Sequence, residues 1–184
     1  MPHQFLKYTS ILLILIAGIA TDQLSKHWAS QNLKNRPVKV VLKHTLELGY
    51  TENHGMVFGI NNRSGNRFSR NVLLVVRILL SIGLSVYLLM NLKKELLFHL
   101  PFLLILAGAI GNVIDSLRFG HVVDFIHMHL GTILDWPFLY NLADAYVCFG
   151  MAILILQSLI GDIKKKTVIE RPLENGDSVN PEQG

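Results

Sequence analysis

Asp124, in His121-Val122-Val123-Asp124-Phe125-Ile126, and Asp144, in Tyr140-Asn141-Leu142-Ala143-Asp144-Ala145, each set a carboxyl group among apolar residues. Keeping such a group ionised in hydrocarbon costs several kcal/mol, so an acid beside an apolar span is a functional candidate by default. Two carboxyls that meet share one proton, because both cannot ionise cheaply at short range. The charged member can then take a proton from water while the protonated member polarises a carbonyl, which is the chemistry of peptide hydrolysis by paired aspartates.

Other polar residues recur at helical spacing. Asn112 and Asp115 are three apart, as are Asn141 and Asp144, so each pair is expected on one face of its helix. Asp22 and Lys26, four apart, are placed to pair at the end of the first apolar run. Ala107, Gly108 and Gly111 would let a second helix approach closely. Spacing alone leaves open whether these polar faces serve catalysis or only join helices. His121, His127 and His129 cluster in sequence near Asp124, but no His-Glu-x-x-His helix is present and the spacing is unlike that of zinc sites. No metal and no other cofactor is therefore expected. Arg77, alone in an apolar stretch, suits snorkelling or pairing. The single Cys148 permits no disulfide framework and reads as a small buried apolar residue.

These residues must be positioned by membrane helices. Of 184 residues, 51% are hydrophobic and only 16% charged, and the mean hydropathy is +0.39. That balance lies outside the range of ordinary soluble domains, and no basic nucleic-acid-binding motif is present. Val72–Met90 and Leu96–Ile114 are long enough to span a bilayer, and Phe138–Ile160 is interrupted only by Asp144. Ile11–Ala20 is shorter and needs its flanks to reach spanning length. With Lys7 before it and Gly18 and Ala20 at its end, it also has the outline of a cleavable export signal.

Four spans would put both termini on one side, together with Lys7, Lys93, Lys94 and Lys164-Lys165-Lys166, as expected of the cytoplasm. The basic segment between the first two spans would then lie outside, where lipid headgroups are natural partners. Within it, Val38–Leu42 and Leu46–Tyr50 alternate with period two, which predicts two short strands joined near Lys43 and His44. Residues 59–70 read as a loop, and 119–137 as a second connection on the same side. The polar tail 170–184 reads as disordered.

Five separated blocks together resemble the lipoprotein signal peptidases, or signal peptidase II, intramembrane aspartic proteases of bacteria. They are Asp22-Gln23-Leu24-Ser25-Lys26; Asn53-His54-Gly55-Met56-Val57-Phe58-Gly59; Gly111-Asn112-Val113-Ile114-Asp115; Gly120-His121-Val122-Val123-Asp124-Phe125-Ile126; and Asn141-Leu142-Ala143-Asp144. The resemblance covers roughly residues 5–160. It implies a mainly α membrane protein of four transmembrane helices with a small extracytoplasmic β-sheet, and a first span that is retained rather than cleaved.

On that reading one peptidase domain covers 1–163, with extracytoplasmic segments at about 29–70 and 118–137, and 164–184 forms a basic stop and cytoplasmic tail. The resemblance makes Asp124 and Asp144 catalytic, with Asp22, Lys26, Asn53, Gly55, Asn112, Asp115, Arg118 and Asn141 binding substrate or supporting the site. It implies a protein of the bacterial cytoplasmic (inner) membrane with the active site near the outer face, in keeping with the cytoplasmic termini that the basic residues indicate, and a monomer is expected. The implied substrates are diacylglyceryl-modified prolipoproteins cut just before the lipidated cysteine. The chain departs from the family in having Ser116 where Arg usually follows the third-span aspartate, which makes Arg118 the expected partner of Asp115. His54, Met56 and Val57 also replace smaller or hydroxylated residues, and Tyr140 stands where Phe is usual. A metalloprotease, a proton relay through Asp22, Asp115 and Asp144, and a non-catalytic lipoprotein binder are the competing readings.

Overall fold

The computed structural model describes residues 2–54, 67–130, 134–135 and 139–169. Four helices, α1 (Pro2–Asn32), α2 (Arg67–Met90), α3 (Leu96–Phe119) and α4 (Leu142–Ile169), each contain a stretch long and apolar enough to cross a membrane. These stretches measure 29, 21, 24 and 20 residues. Strands β1 (Lys39–Leu42), β2 (Leu46–Asn53) and β3 (Val122–Leu130) form an antiparallel sheet in that order, and the two-residue β4 (Leu134–Asp135) extends it beyond β3.

The expected spans are present but longer than their apolar cores. α1 continues past Ala20 to Asn32, because Asp22 and Lys26 are buried against other helices instead of ending the helix. α3 runs on through Asp115 to Phe119, and Arg67–Arg70, expected in a loop, is the first turn of α2. Residues 59–66 of that loop and the tail 170–184 lie outside the described residues.

α3 is the central helix, and α1, α2 and α4 all pack on it. Lipid is as apolar as leucine, so close packing rather than the hydrophobic effect holds such helices together. Leu103 and Leu106 of α3 and Leu88 of α2 form one buried cluster, with Ile11, Ile14 and Leu15 of α1 against it. Two glycines set the closest approaches. A Cβ at Gly108 would strike the Ala143 carbonyl of α4, and one at Gly111 would strike the Asp22 carboxylate of α1. The outer faces are open and apolar, as at Leu6, Leu79, Leu80 and Leu156. Cys148 sits on such a face, exposed, and corrects the expectation of a buried residue: it lies on the side of α4 turned away from the helix packing.

The sheet docks on the end of α1. Val123 and Phe125 of β3 are buried with Ala29 of α1 and Leu33 just beyond its end, and Leu48 and Tyr50 of β2 pack beside them. β1 and β2 form the predicted hairpin, with His44 at φ 60° in the turn. β3 was not legible as a strand, because the adjacent apolar residues Val122-Val123 and Phe125-Ile126 on either side of Asp124 interrupt its alternation. Gly120 ends α3 in the left-handed region at φ 73°, and its N–H donates to the Ser116 carbonyl at 3.1 Å. This turn feeds the chain directly into β3 and delivers Asp124 beside the helix bundle.

At the far end, Lys7 Nζ donates to the Leu92 carbonyl at 2.6 Å and closes the C-terminus of α2. Lys7 and Lys26 are both on α1, roughly 28 Å apart along its axis. The hydrocarbon layer is about 30 Å thick. The basic end and the polar cluster around Lys26 therefore sit near opposite membrane faces.

Candidate active site

The start of α4 organises the site. Asn141 lies just before the helix and is its N-cap, which corrects the expectation that Asn141 and Asp144 share a helical face. Its side-chain carbonyl accepts the Asp144 N–H at 3.0 Å, and its own N–H donates to Asp144 Oδ2 at 3.4 Å. This reciprocal box satisfies two donors of the helix terminus. The side-chain amide of Asn141 remains, and its Nδ2 donates to Asp124 Oδ1 at 2.5 Å. One fully buried residue thus binds both carboxylates, through its main chain and its side chain.

Each carboxylate has a second amide donor. Asn53 Nδ2, from the end of β2, donates to Asp124 Oδ2 at 2.9 Å. Asn112 Nδ2, from α3, donates to Asp144 Oδ1 at 2.9 Å. Asp124 is only 2% exposed, whereas Asp144 is partly open. Burial first, and the neighbouring charge of Asp144 second, push the Asp124 carboxyl up to about 7. The two amide donors and Lys26 oppose that shift without reversing it.

Behind the carboxylates lies an ionic cluster that explains how an apolar bundle tolerates so many charges. Lys26 Nζ reaches Asp22 Oδ2 at 2.9 Å and Asp115 Oδ2 at 3.1 Å, and donates to Asn112 Oδ1 at 2.8 Å. Lys26 therefore fixes which way the Asn112 amide points, and so presents its NH2 to Asp144. Asp22 Oδ1 accepts the Ala143 N–H at 2.9 Å, a third donor at the start of α4. Asp115 Oδ2 accepts the Val123 N–H at 3.2 Å and ties α3 to the strand beside Asp124. All three charged groups are at most 3% exposed, and buried charges persist only when paired and hydrogen-bonded in this way.

The structure thus joins Asp22, Lys26, Asn53, Asn112, Asp115, Asp124, Asn141 and Asp144 in one network. Gly55 lies outside the described residues. Arg118 is the exception. It is exposed, its guanidinium lies 5.0 Å from the Phe119 ring, and among the described residues Asp115 pairs with Lys26 instead. Arg118 lies in the last turn of α3, next to the end of the helix, and its side chain is exposed there. Ser116 is instead met by Arg77 of α2, whose Nη1 donates to Ser116 Oγ at 3.4 Å. Gln23 was overlooked among the supporting residues: its Nε2 donates to Asp115 Oδ1 at 2.9 Å, to the Gly111 carbonyl at 3.1 Å and to Asp22 Oδ2 at 3.2 Å. Its place beside Asp22 at the polar end of α1 was the available signal.

The three histidines divide between two clusters. His121 is with Glu52, 3.8 Å away, and His54. His127 and His129 are with Glu47.

The family model described as "Signal peptidase (SPase) II" matches residues 14–160. Lipoprotein signal peptidases with similar sequences include those of Clostridioides difficile (strain 630), 31% identical over 84% of this chain and 98% of the relative. Another is that of Moorella thermoacetica, 36% identical over 81% of this chain and 92% of the relative. A bacterial membrane enzyme solved by the in meso method at 2.3 Å resolution superposes with a TM-score of 0.71 and 28% identity, covering 91% of this chain and 94% of that one.

Proposed function

The chain belongs to the signal peptidase II family, and from that membership and the shared contacts of Asn141 we propose that Asp124 and Asp144 are the catalytic pair of an aspartic endopeptidase. The family places the protein among multi-pass membrane proteases that remove signal peptides from prolipoproteins. The finer reading is that its substrates carry diacylglycerol on a cysteine and are cut just before that residue. The acyl chains stay in lipid along the open apolar helix faces while the peptide reaches the carboxylates at the membrane edge.

Asp124, the more deeply buried acid, holds the proton at rest. Asp144 is the anion, partly open and at the N-terminus of α4, where the helix dipole favours negative charge. Asp144 takes a proton from water as the oxygen attacks the scissile carbonyl carbon, and Asp124 gives its proton to the carbonyl oxygen. The tetrahedral intermediate collapses as the C–N bond breaks. The proton on Asp144 passes to the leaving amine, and the hydroxyl proton returns to Asp124. Both acids end as they began. Asn53, Asn112 and Asn141 hold the two carboxylates in place through this exchange.

The observation that carries this reading is Asn141 donating to both carboxylates. The test is cleavage of a diacylglyceryl-modified prolipoprotein by the protein in detergent, beside the same substrate without its lipid. Asp124→Asn and Asp144→Asn are each expected to lose at least roughly 10²–10⁴-fold in rate. Full activity in either variant defeats the proposed chemistry, and equal cleavage of the unlipidated substrate defeats the assigned substrate class.

A further inference from the structure

The pleat of β3 turns His127 and His129 to the face opposite Asp124, since successive side chains alternate and residues two apart share a side. Glu47 of β2 is the direct cross-strand partner of His127. Glu47 Oε2 lies 3.6 Å from His127 Nδ1 and 3.3 Å from His129 Nε2. All three donor atoms fall within 4.8 Å of one another. In a tetrahedral zinc site with bonds of about 2.0–2.1 Å, ligand atoms are about 3.4 Å apart.

The geometry points to a binding site for a divalent transition-metal ion at Glu47, His127 and His129, separate from the catalytic pair and not required by its chemistry. Two imidazoles and one carboxylate suit zinc and its neighbours rather than calcium or magnesium. The side chains are 28%, 20% and 17% exposed, which leaves room for entry and for a water as fourth ligand. The ligands are also preorganised, because His129 N–H donates to the Thr45 carbonyl at 2.9 Å and the β2–β3 pairing fixes Glu47 opposite His127.

A second group, Glu52, His54 and His121, is less suited. Its carboxylate already accepts from Lys34 at 2.7 Å, and its histidines lie 4.0 and 3.8 Å away. An ion at Glu47 would cross-link β2 and β3, the strands that carry Asn53 and Asp124. A plain ion pair between Glu47 and a protonated histidine would explain the same distances, and it would not bind Zn²⁺ selectively.

The test is titration of the full chain, purified in detergent and stripped with a chelator, with Zn²⁺ alone. Calorimetry is expected to give saturable micromolar binding of one equivalent, and thermal unfolding a higher midpoint that Mg²⁺ does not reproduce. His129→Ala and Glu47→Gln should each weaken binding at least tenfold, while a His54→Ala/His121→Ala protein retains it. Zn²⁺ should also protect His127 and His129 of the unaltered protein from acylation by diethyl pyrocarbonate, a measurement independent of how the variants fold. Absence of saturable binding, retention of full affinity in His127→Ala/His129→Ala, or acylation unaffected by Zn²⁺ overturns the site.

Discussion

Asn141 combines three contacts in one residue: it caps α4 by accepting the Asp144 N–H, donates its own N–H to Asp144 Oδ2, and donates its side-chain amide to Asp124. Two substitutions separate these roles. Asn141→Ala removes the cap and the bridge, and should cost about 1 kcal/mol of stability as well as most activity. Asn141→Asp keeps a capping oxygen but replaces the amide donor with a third carboxylate. It should therefore keep the stability of the α4 terminus and still lose cleavage, as chemical unfolding and the peptide assay would register. Comparable activity in both the unaltered protein and Asn141→Asp would remove the bridge from the mechanism.

The Asp124 proton has a definite pH signature. Its carboxyl is raised from 3.8 to about 7, so the folded protein binds that proton more tightly than the unfolded chain. The associated stability is present below the unfolded value and is lost as pH rises through the folded one. In Asp124→Asn the decline in stability between about 4 and about 7 should flatten, and the variant should melt at a higher temperature than the parent above that range. Cleavage by the parent should fall as pH rises through about 7, because the carbonyl oxygen then lacks its proton donor. A flat rate profile from pH 6 to pH 9 would contradict the assigned resting proton.

Among the elements, α3 is where packing and chemistry meet. Gly108 and Gly111 bring α4 and Asp22 against its backbone, and its Asn112 and Asp115 face the site. Gly108→Leu should push the Ala143 carbonyl away and misplace Asp144, abolishing cleavage while the membrane helices still insert. Gly83 of α2 has open space around it, so Gly83→Ala should leave activity unchanged and slightly favour the helix. Assays of the two variants in parallel distinguish helix approach from a general intolerance of added bulk.

Legibility from sequence followed the physics of each element. The four spans and the β1–β2 hairpin announce themselves by hydropathy and alternation, and Asp22, Lys26, Asn112 and Asp115 by polar groups at helical spacing. Those signals are local. The strand at Asp124 and the bridge from Asn141 to Asp124 depend on neighbours distant in sequence, and periodicity could not reveal them. Arg118 misled for the same reason: its nearness to Asp115 in sequence suggested a pair, but Lys26, brought in by α1 from far along the chain, takes that place.

For the molecule as a whole, Lys7 and the sheet lie toward opposite ends of α1, and the proposed orientation puts the sheet outside the cell. In a Cys148→Ala background, Lys43→Cys should react with a membrane-impermeant thiol reagent added to intact spheroplasts, and Lys94→Cys only after lysis. The reverse labelling pattern would invert the orientation. Lys26 has a comparable reach across the fold, since it joins α1 to α3 at the base of the site. Lys26→Met leaves Asp22 and Asp115 buried and uncompensated, and should destabilise the protein by roughly 3–5 kcal/mol, measurable as early melting in detergent.

The bond from the Ala143 N–H to Asp22 unites α1 with α4 across 121 residues of chain. During synthesis the carboxylate of α1 enters the bilayer long before its partner on α4 leaves the ribosome. On the proposed mechanism, a chain that stops before α4 therefore lacks both this tie and Asp144, and cleavage should begin only once α4 has been made.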